Sequence, residues 1–251
     1  MKRSLNGLCV LNTRPAGQAQ SLSKSIKESG GEVFELPTLE IQALDNWVYN
    51  LPDLTKIDQA IFISANAVEH CFKQLEAHQI DWPLTIKTIA IGKSSATALE
   101  KFNQPVSFIP EVADSEHLLE LKTLLHLDKQ KILLFKGQGG RPLIEESLLL
   151  RGANLITIDV YQRIMPKINP QFIKSIWHND LVDIILLTSE QSMHNLFKLF
   201  EEESHNWLYS KACLVISERL AQIARSLKIK NIILSSPEGI MNTLFDYTLN
   251  K

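Results

Sequence analysis

Hydroxyl, amide and basic side chains follow several strand-like runs, each at the point where a helix-like segment begins. The residues with this placement are Thr13, Arg14, Ser64, Ala65, Asn66, Ser95, Lys136, Gly137, Arg141, Thr188, Ser189 and Ser217. In open α/β sheets, ligands bind outside the carboxyl ends of the strands. Helix N-termini there favour anions, and Arg14, Lys136 and Arg141 would add charge-assisted hydrogen-bond donors. The pattern therefore predicts a binding site for a polyanionic ligand.

The same residues also have an ordinary structural explanation. Ser, Thr and Asn are common helix N-caps, so any single loop indicates no more than a capped helix. The loop at 136–141, KGQGGR, has the glycines of a phosphate loop but lacks the GxGxxG and GxxxxGK[ST] spacings. The sequence contains no HExxH or GxSxG motif and no close His, Asp and Glu cluster, so we expect no metal ligands and no cofactor.

Tyr161 lies in the middle of the strand-like stretch 154–166, NLITIDVYQRIMP, whose apolar residues alternate up to Pro166. A similar stretch at 32–44 is broken by Pro37, which cannot donate to a strand ladder and so marks a bend or an edge. We interpret the two stretches as crossing strands between two lobes, with a ligand cleft between the lobes. The residues alone leave open whether Tyr161 is functional or an aromatic packing residue of a linker.

Strand-like runs alternate with helix-like segments along the whole chain, which is typical of a doubly wound parallel sheet. The runs that predict strands are 8–11, 33–36, 60–63, 88–91, 106–109, 132–135, 184–187, 214–216 and 232–234. Corresponding runs are displaced by about 122 to 126 residues, so the chain resembles two copies of one βαβ-rich unit.

The repeat and the crossing strands together predict two flavodoxin-like α/β lobes joined by a two-stranded antiparallel β linker. The predicted lobes are 1–36 with 167–251, and 43–159, and the predicted linker strands are 36–43 and 159–166. We expect Glu35 to Ile41 to pair with Asp159 to Met165. Because only two strands would join the lobes, we also expect the lobes to move relative to one another.

The composition narrows the class of protein. The chain has 251 residues, of which 45% are hydrophobic and 22% charged, as in an ordinary globular protein. A formal net charge of -2 argues against nucleic-acid binding, and no segment approaches the ~20 apolar residues of a membrane span. Three distant cysteines form neither a disulfide framework nor a CxxC site. The N-terminus has no signal-peptide pattern, so we expect a cytoplasmic protein.

Several segments, taken in order, resemble the uroporphyrinogen-III synthase family. They are TRPAGQAQSL, GGEVFELPTLEI, IFISANAV, IGKSSATAL, DSEHLLEL, KGQGGRPLIEESLLLRGA, VYQR and LLTSEQSMHNL. The resemblance implies two α/β lobes, a two-stranded linker and a substrate held in the cleft. It also implies a cofactor-free lyase that converts hydroxymethylbilane to uroporphyrinogen III in haem biosynthesis. We expect a monomer that is free to contact the preceding pathway enzyme transiently.

The resemblance also suggests roles for individual residues. The family's linker tyrosine falls on Tyr161, and its hydroxyl after a GxxT-like turn falls on Ser95. Lys136 stands where arginine is common, which keeps the charge but loses the planar fork. In the second copy of the turn, Ser217 replaces glycine and Leu220 replaces the hydroxyl residue, which leaves only a backbone contact there.

Two rival classes use similar features. A nucleotide or phosphosugar enzyme would use the same helix N-termini, but no acidic residue follows a fingerprint loop to hold a ribose. A two-lobed protein that binds a small anion without catalysis would share the lobes and the cleft, and the missing export signal argues against an extracytoplasmic binding protein.

Overall fold

The computed structural model describes residues 3–249, which form two compact units. One unit takes the described residues up to Glu40 and from Ile164 onward, and the other is Ile41–Arg163. The strands are β1 (Cys9–Asn12), β2 (Glu32–Glu35), β3 (Glu40–Ala43), β4 (Gln59–Phe62), β5 (Lys87–Ala90), β6 (Lys131–Gly137), β7 (Asn154–Ile164), β8 (Ile184–Leu187), β9 (Ala212–Val215) and β10 (Asn231–Leu234). The α-helices are α1 (Ala16–Glu28), α2 (Ala65–Ala77), α3 (Lys93–Lys101), α4 (Ser115–Leu119), α5 (Leu143–Leu150), α6 (Pro170–His178), α7 (Glu190–Leu199), α8 (His205–Ser210), α9 (Glu218–Ser226) and α10 (Ile240–Leu249). Short 3-10 turns occupy Asn46–Asn50, Leu54–Lys56, Lys122–Leu124 and Glu202–Ser204.

The first unit is built on a five-stranded sheet of order β10-β9-β8-β1-β2. Its neighbouring strands pair in parallel. Successive residues of a strand point to opposite faces, and both faces are packed here: Leu11 lies in one apolar cluster and Val10 in another. Sheets covered on both faces need uninterrupted apolar strands, which explains the run IILL of β8.

The second unit has a five-stranded sheet of order β3-β7-β6-β4-β5. Strands β7, β6, β4 and β5 pair in parallel. One face carries an aromatic core in which the rings of Phe62 and Phe135 stack 4.7 Å apart. The opposite face packs Ile61 and Leu134 against the leucines of α4 and α5. The predicted α/β class, with parallel-dominated sheets, is thus confirmed.

Helix ends follow the local signals. Helix α1 ends at Glu28, and the chain then turns at Gly30, whose φ of +78° lies in the left-handed region that favours glycine. The N–H of Gly31 bonds back to the carbonyl of Ile26 at 3.0 Å, which closes the helix end. At the other termini, Ser64, Asp114, Asn169, Ser189 and Ser217 each accept a hydrogen bond from a backbone N–H of the first turn.

Two local details differ from the sequence expectations. The predicted strand 106–109 is reduced to an isolated bridge between Phe108 and Ile89, because Pro105 and Pro110 flank it and lack backbone donors. Residues 136 and 137, predicted in a loop, belong to β6. The stretch 32–44, in which Pro37 marks a break, consists of two strands, β2 and β3, which lie in different sheets.

Among the described residues, no helix combines the length and apolar character needed to cross a membrane. Cys9, Cys71 and Cys213 are buried, and no disulfide joins any two of them. Burial raises the pKa of Cys213 to about 12 and raises that of Cys71 as well, so these thiols stay protonated in the core.

Candidate active site

In the second unit, the predicted residues gather where β4 and β6 end. The chain leaves β4 toward β5 and leaves β6 toward β7, and these partners lie on opposite sides of the β4–β6 pair. Such a change of direction opens a crevice beyond the carboxyl ends of the two strands, the usual ligand position in open α/β sheets. Ser64 follows β4, and Gly137 is the last residue of β6.

Ser64 is the N-cap of α2. Its extended backbone (φ −167°, ψ 158°) lets its Oγ accept the N–H of Ala67 at 3.0 Å. Ala65 and Asn66 are the first two residues of the helix and are half-buried. Their backbone N–H groups lie in the turn where a helix leaves donors free for an anion.

Tyr161 packs its ring directly on the backbone of Gly137. The pairing of β6 with β7 shifts at this point: Lys136 lies opposite Asp159, but Gly137 lies opposite Tyr161, so Val160 is an extra residue. A Cβ placed on Gly137 would lie only 2.4 Å from Cζ of Tyr161. The space that the ring occupies therefore exists because residue 137 has no side chain.

The phenol oxygen of Tyr161 has two side-chain partners although the residue is only 1% exposed. Ser64 Oγ lies 3.2 Å away, and Nη2 of Arg163 donates to the phenol oxygen at 3.1 Å. The Arg163 guanidinium also lies over the ring, 5.5 Å from its centroid, and the His70 ring is 5.7 Å from the same ring. Partial burial, followed by nearby Lys73, lowers the pKa of His70, so its imidazole is neutral at pH 7.

Lys136 is buried, and its ammonium forms an ion pair with Glu145 of α5. Asp159 lies opposite Lys136 in the sheet, and its Oδ1 is buried without a hydrogen-bond partner among the described residues. Burial raises the pKa of Asp159, while Lys136 lowers it and Glu145 raises it further. Lys136 is thus paired with Glu145, and its charge also partly offsets the effect of burial on Asp159.

Ser95 lies in the first turn of α3, whose N-cap is Gly92. It is fully buried, and its Oγ has no hydrogen-bond partner among the described residues. An unpaired buried hydroxyl costs free energy, so this hydroxyl is a group that a ligand could satisfy.

In the first unit, several of the predicted hydroxyl residues serve the protein itself. Thr13 is fully buried and donates to the carbonyl of Leu186 at 2.6 Å. Ser189 and Ser217 cap α7 and α9, and Thr188 precedes Ser189 at the end of β8. Arg14 differs, since its Nε is buried and has no partner among the described residues.

Arg141 is exposed and makes a two-pronged contact with Glu116, at 2.8 and 3.2 Å. Leu220, where the family resemblance suggests a hydroxyl residue, is buried in the apolar core of the first unit. Within residues 3–249, no cluster of three or more His, Cys, Asp or Glu residues is arranged to hold a metal ion.

Sequence reasoning gave no role to Arg163 and His70, which lie beside Tyr161, or to Asp159, which lies opposite Lys136. Arg163 had a signal, because residues two apart on a strand share a face, and Tyr161 and Arg163 are two apart on β7. His70 had none, since its contact with Tyr161 depends on how α2 packs on the sheet, and the position of Asp159 opposite Lys136 depends on the register between β6 and β7.

Comparison with known proteins identifies the family. The family described as uroporphyrinogen-III synthase HemD matches residues 20–241. Uroporphyrinogen-III synthase of Escherichia coli strain K12 is 30% identical over 232 residues, which cover 90% of this chain and 94% of that protein. The enzyme of Salmonella typhimurium is 29% identical over 230 residues, with the same coverage of both chains.

Solved structures agree on the fold. A mutant uroporphyrinogen III synthase from the extremely thermophilic bacterium Thermus thermophilus aligns with a TM-score of 0.65 at 17% identity, covering 97% of this chain and 99% of that one. The uroporphyrinogen-III synthetase of Helicobacter pylori 26695 aligns with a TM-score of 0.61 at 17% identity and the same coverage.

The parallel sheets, with hydroxyl groups at a strand switch point, are the arrangement in which α/β proteins generally bind ligands beyond their strand ends. The chain belongs to the uroporphyrinogen-III synthase family. The prediction from the ordered motifs is confirmed, and the nucleotide or phosphosugar enzyme and the non-catalytic binding protein are not favoured.

Proposed function

We propose that this protein is a cofactor-independent hydro-lyase that converts hydroxymethylbilane to uroporphyrinogen III, inverting the terminal pyrrole ring with loss of water. Family membership supports the reaction. The observation that carries the proposed site is the buried phenol of Tyr161, bonded to the Ser64 hydroxyl at the start of α2.

The first chemical step is departure of the substrate hydroxyl. The pyrrole nitrogen supplies electrons, and the product is an electrophilic azafulvene plus water. A weak acid beside the hydroxyl helps it leave. A phenol suits this role because it donates a hydrogen bond without placing a negative charge beside a ligand with eight carboxylates.

Ring inversion then requires attack at the substituted carbon of the terminal ring, a spiro intermediate and closure. The protein has to hold a flexible linear chain in a bent form, so that closure to the other isomer does not compete. We propose that the N-termini of α2 and α3 bind substrate carboxylates through backbone N–H groups, together with the Ser95 hydroxyl. We assign the same kind of contact in the first unit to Arg14 and to the N-termini of α7 and α9.

A product assay tests the function directly. Purified protein is incubated with hydroxymethylbilane without added cofactor, and the porphyrin isomers are separated after oxidation. We expect the type III isomer to predominate over the type I isomer of the uncatalysed reaction. An isomer ratio equal to that without protein would refute the function.

Replacement of Tyr161 tests its role as the acid. Tyr161→Phe should lower kcat by ~10²–10⁴-fold, the usual size of general-acid assistance, with little change in folding. Ser64→Ala and Ser95→Ala should have milder effects, because the helix N–H groups would still hold the carboxylates and the Tyr161 phenol would remain to donate to the departing hydroxyl. Turnover of Tyr161→Phe at the parental rate would leave Tyr161 as a packing residue.

Assembly and location belong to the same proposal. We propose a cytoplasmic monomer, with lobes 1–36 plus 167–251 and 43–159 joined by paired linker strands. Light scattering of the eluting protein during size-exclusion chromatography measures the mass and so tests the monomer.

A further inference from the structure

Arg163 determines which atoms donate and which accept in the hydrogen bonds at the Tyr161 phenol. A guanidinium has five donors and no acceptor, so the 3.1 Å contact can only be a bond from Arg163 to the phenol oxygen. The phenol oxygen is then an acceptor toward Arg163, and its own O–H hydrogen must point elsewhere.

Ser64 Oγ is the partner available to that hydrogen, at 3.2 Å. If Ser64 donated instead, the phenol O–H would have no acceptor although Tyr161 is only 1% exposed. Leaving a buried donor unpaired is unfavourable, so Tyr161 donates to Ser64.

Ser64 Oγ therefore accepts twice, from the phenol and from the N–H of Ala67 at 3.0 Å. A hydroxyl oxygen has two lone pairs, and both are now used. The Ser64 hydroxyl hydrogen is left free to donate, and it lies at the N-terminus of α2 beyond the end of β4.

We propose that Arg163 is a positioning residue that fixes a one-way donor chain, Arg163 to Tyr161 to Ser64, whose free end donates to the departing hydroxyl of the substrate. The inference rests on the proposed function for its substrate, but the direction of the chain does not. A substrate hydroxyl that displaces Ser64 would receive the phenol hydrogen directly, since Arg163 occupies the other side of the oxygen.

Two further observations indicate that Arg163 does more than add a surface charge. Within residues 3–249, no carboxylate lies within 4.0 Å of its guanidinium, so its hydrogen-bonding group is not held by an ion pair. The guanidinium also lies over the Tyr161 ring, and such cation–π contact holds the two side chains in register.

The kinetic test uses Arg163→Gln and Arg163→Lys, with Arg225→Gln as a matched exposed arginine whose contact is Glu218. Arg163→Gln should lower kcat about tenfold, because a charged donor is lost from the chain. Arg163→Lys should recover most of this loss, since it keeps one charged donor. Arg225→Gln should match the parent.

A double-mutant cycle separates positioning from direct substrate binding. In the Tyr161→Phe background, Arg163→Gln should leave kcat unchanged, because the chain is already cut. An equal loss of kcat in both backgrounds, or a change confined to KM, would show that Arg163 contacts the substrate and would overturn the proposal. So would an unchanged kcat for Arg163→Gln in the parental background.

A nuclear magnetic resonance experiment tests the hydrogen-bond chain without an enzyme assay. The chain has four tyrosines, and labelling their Cζ atoms with carbon-13 gives signals among which Tyr161 is identified by its loss in Tyr161→Phe. The Tyr161 signal should move in Arg163→Gln, return toward the parental position in Arg163→Lys and stay in place in Arg225→Gln. An unmoved signal in Arg163→Gln refutes the chain, whereas failure of the parent to form uroporphyrinogen III refutes only the proposed function.

Discussion

Gly137→Ala should displace the Tyr161 phenol while changing no polar group of the site. The added Cβ would lie 2.4 Å from Cζ, 2.5 Å from Cε2 and 2.8 Å from the phenol oxygen, all closer than real Cβ contacts. Because the clash is with a ring held in the core, neither partner can simply swing into solvent. Gly137 needs no left-handed backbone conformation, so the effect should come from crowding alone.

The size of the effect follows from known costs of overpacking. Forcing an extra methyl into a packed core costs about 1–3 kcal/mol. For a chain of this length, that corresponds to a fall in Tm of roughly 2–4 °C per kcal/mol. The protein should stay folded but lose most of its kcat, because moving the phenol breaks its hydrogen bond to Ser64. A small misplacement of a catalytic group can lower kcat by ~10²-fold.

Tm by calorimetry and kcat by the isomer assay measure the two effects. Gly17→Ala is the control, because its Cβ would meet nothing within 4 Å and helix α1 favours alanine. Combining Gly137→Ala with Tyr161→Ala should remove the stability cost of the glycine change, since the ring is gone. If Gly137→Ala kept both parental Tm and parental kcat, the close packing of ring and backbone would be refuted.

The remaining predictions concern the buried charges of β6 and β7. Burial raises the folded pKa of Asp159, so its carboxylate lowers stability above the ordinary carboxyl pKa of about 3.9, and Asp159→Asn should raise Tm at pH 7. This gain should shrink as the pH falls through the raised folded pKa toward about 3.9, because the carboxyl is then protonated in both the folded and the unfolded state; a gain that grew in acid would contradict the sign. Lys136→Met should destabilise by about 1–3 kcal/mol, measured by urea unfolding, because Glu145 loses its partner. Adding Asp159→Asn should recover part of that loss, since Lys136 also lowers the pKa of Asp159, and no recovery would show that the two groups are not coupled.

Local sequence determined the parts of this protein that depend on a few neighbouring residues. Ser64, Ser189 and Ser217 were predictable as helix starts, because an N-cap bonds to a backbone N–H three residues later. The parallel α/β class was predictable from apolar runs, because strands buried on both faces require them. The ordered motifs were enough to predict the family, because they depend on residue order and not on tertiary contacts.

Tertiary structure alone decided how the site residues meet. Ser64 and Tyr161 are 97 residues apart, so their contact depends on the strand order and on the shifted register between β6 and β7. The same shift places Tyr161 on Gly137, which sequence spacing could not indicate. Lys136 shows the same limit: its type and position suggested an anion ligand, but its pairing with Glu145 follows from the packing of α5 on the sheet. Composition and spacing specify which side chains are available. Only long-range packing decides which of them form hydrogen bonds, ion pairs or close packing contacts with one another.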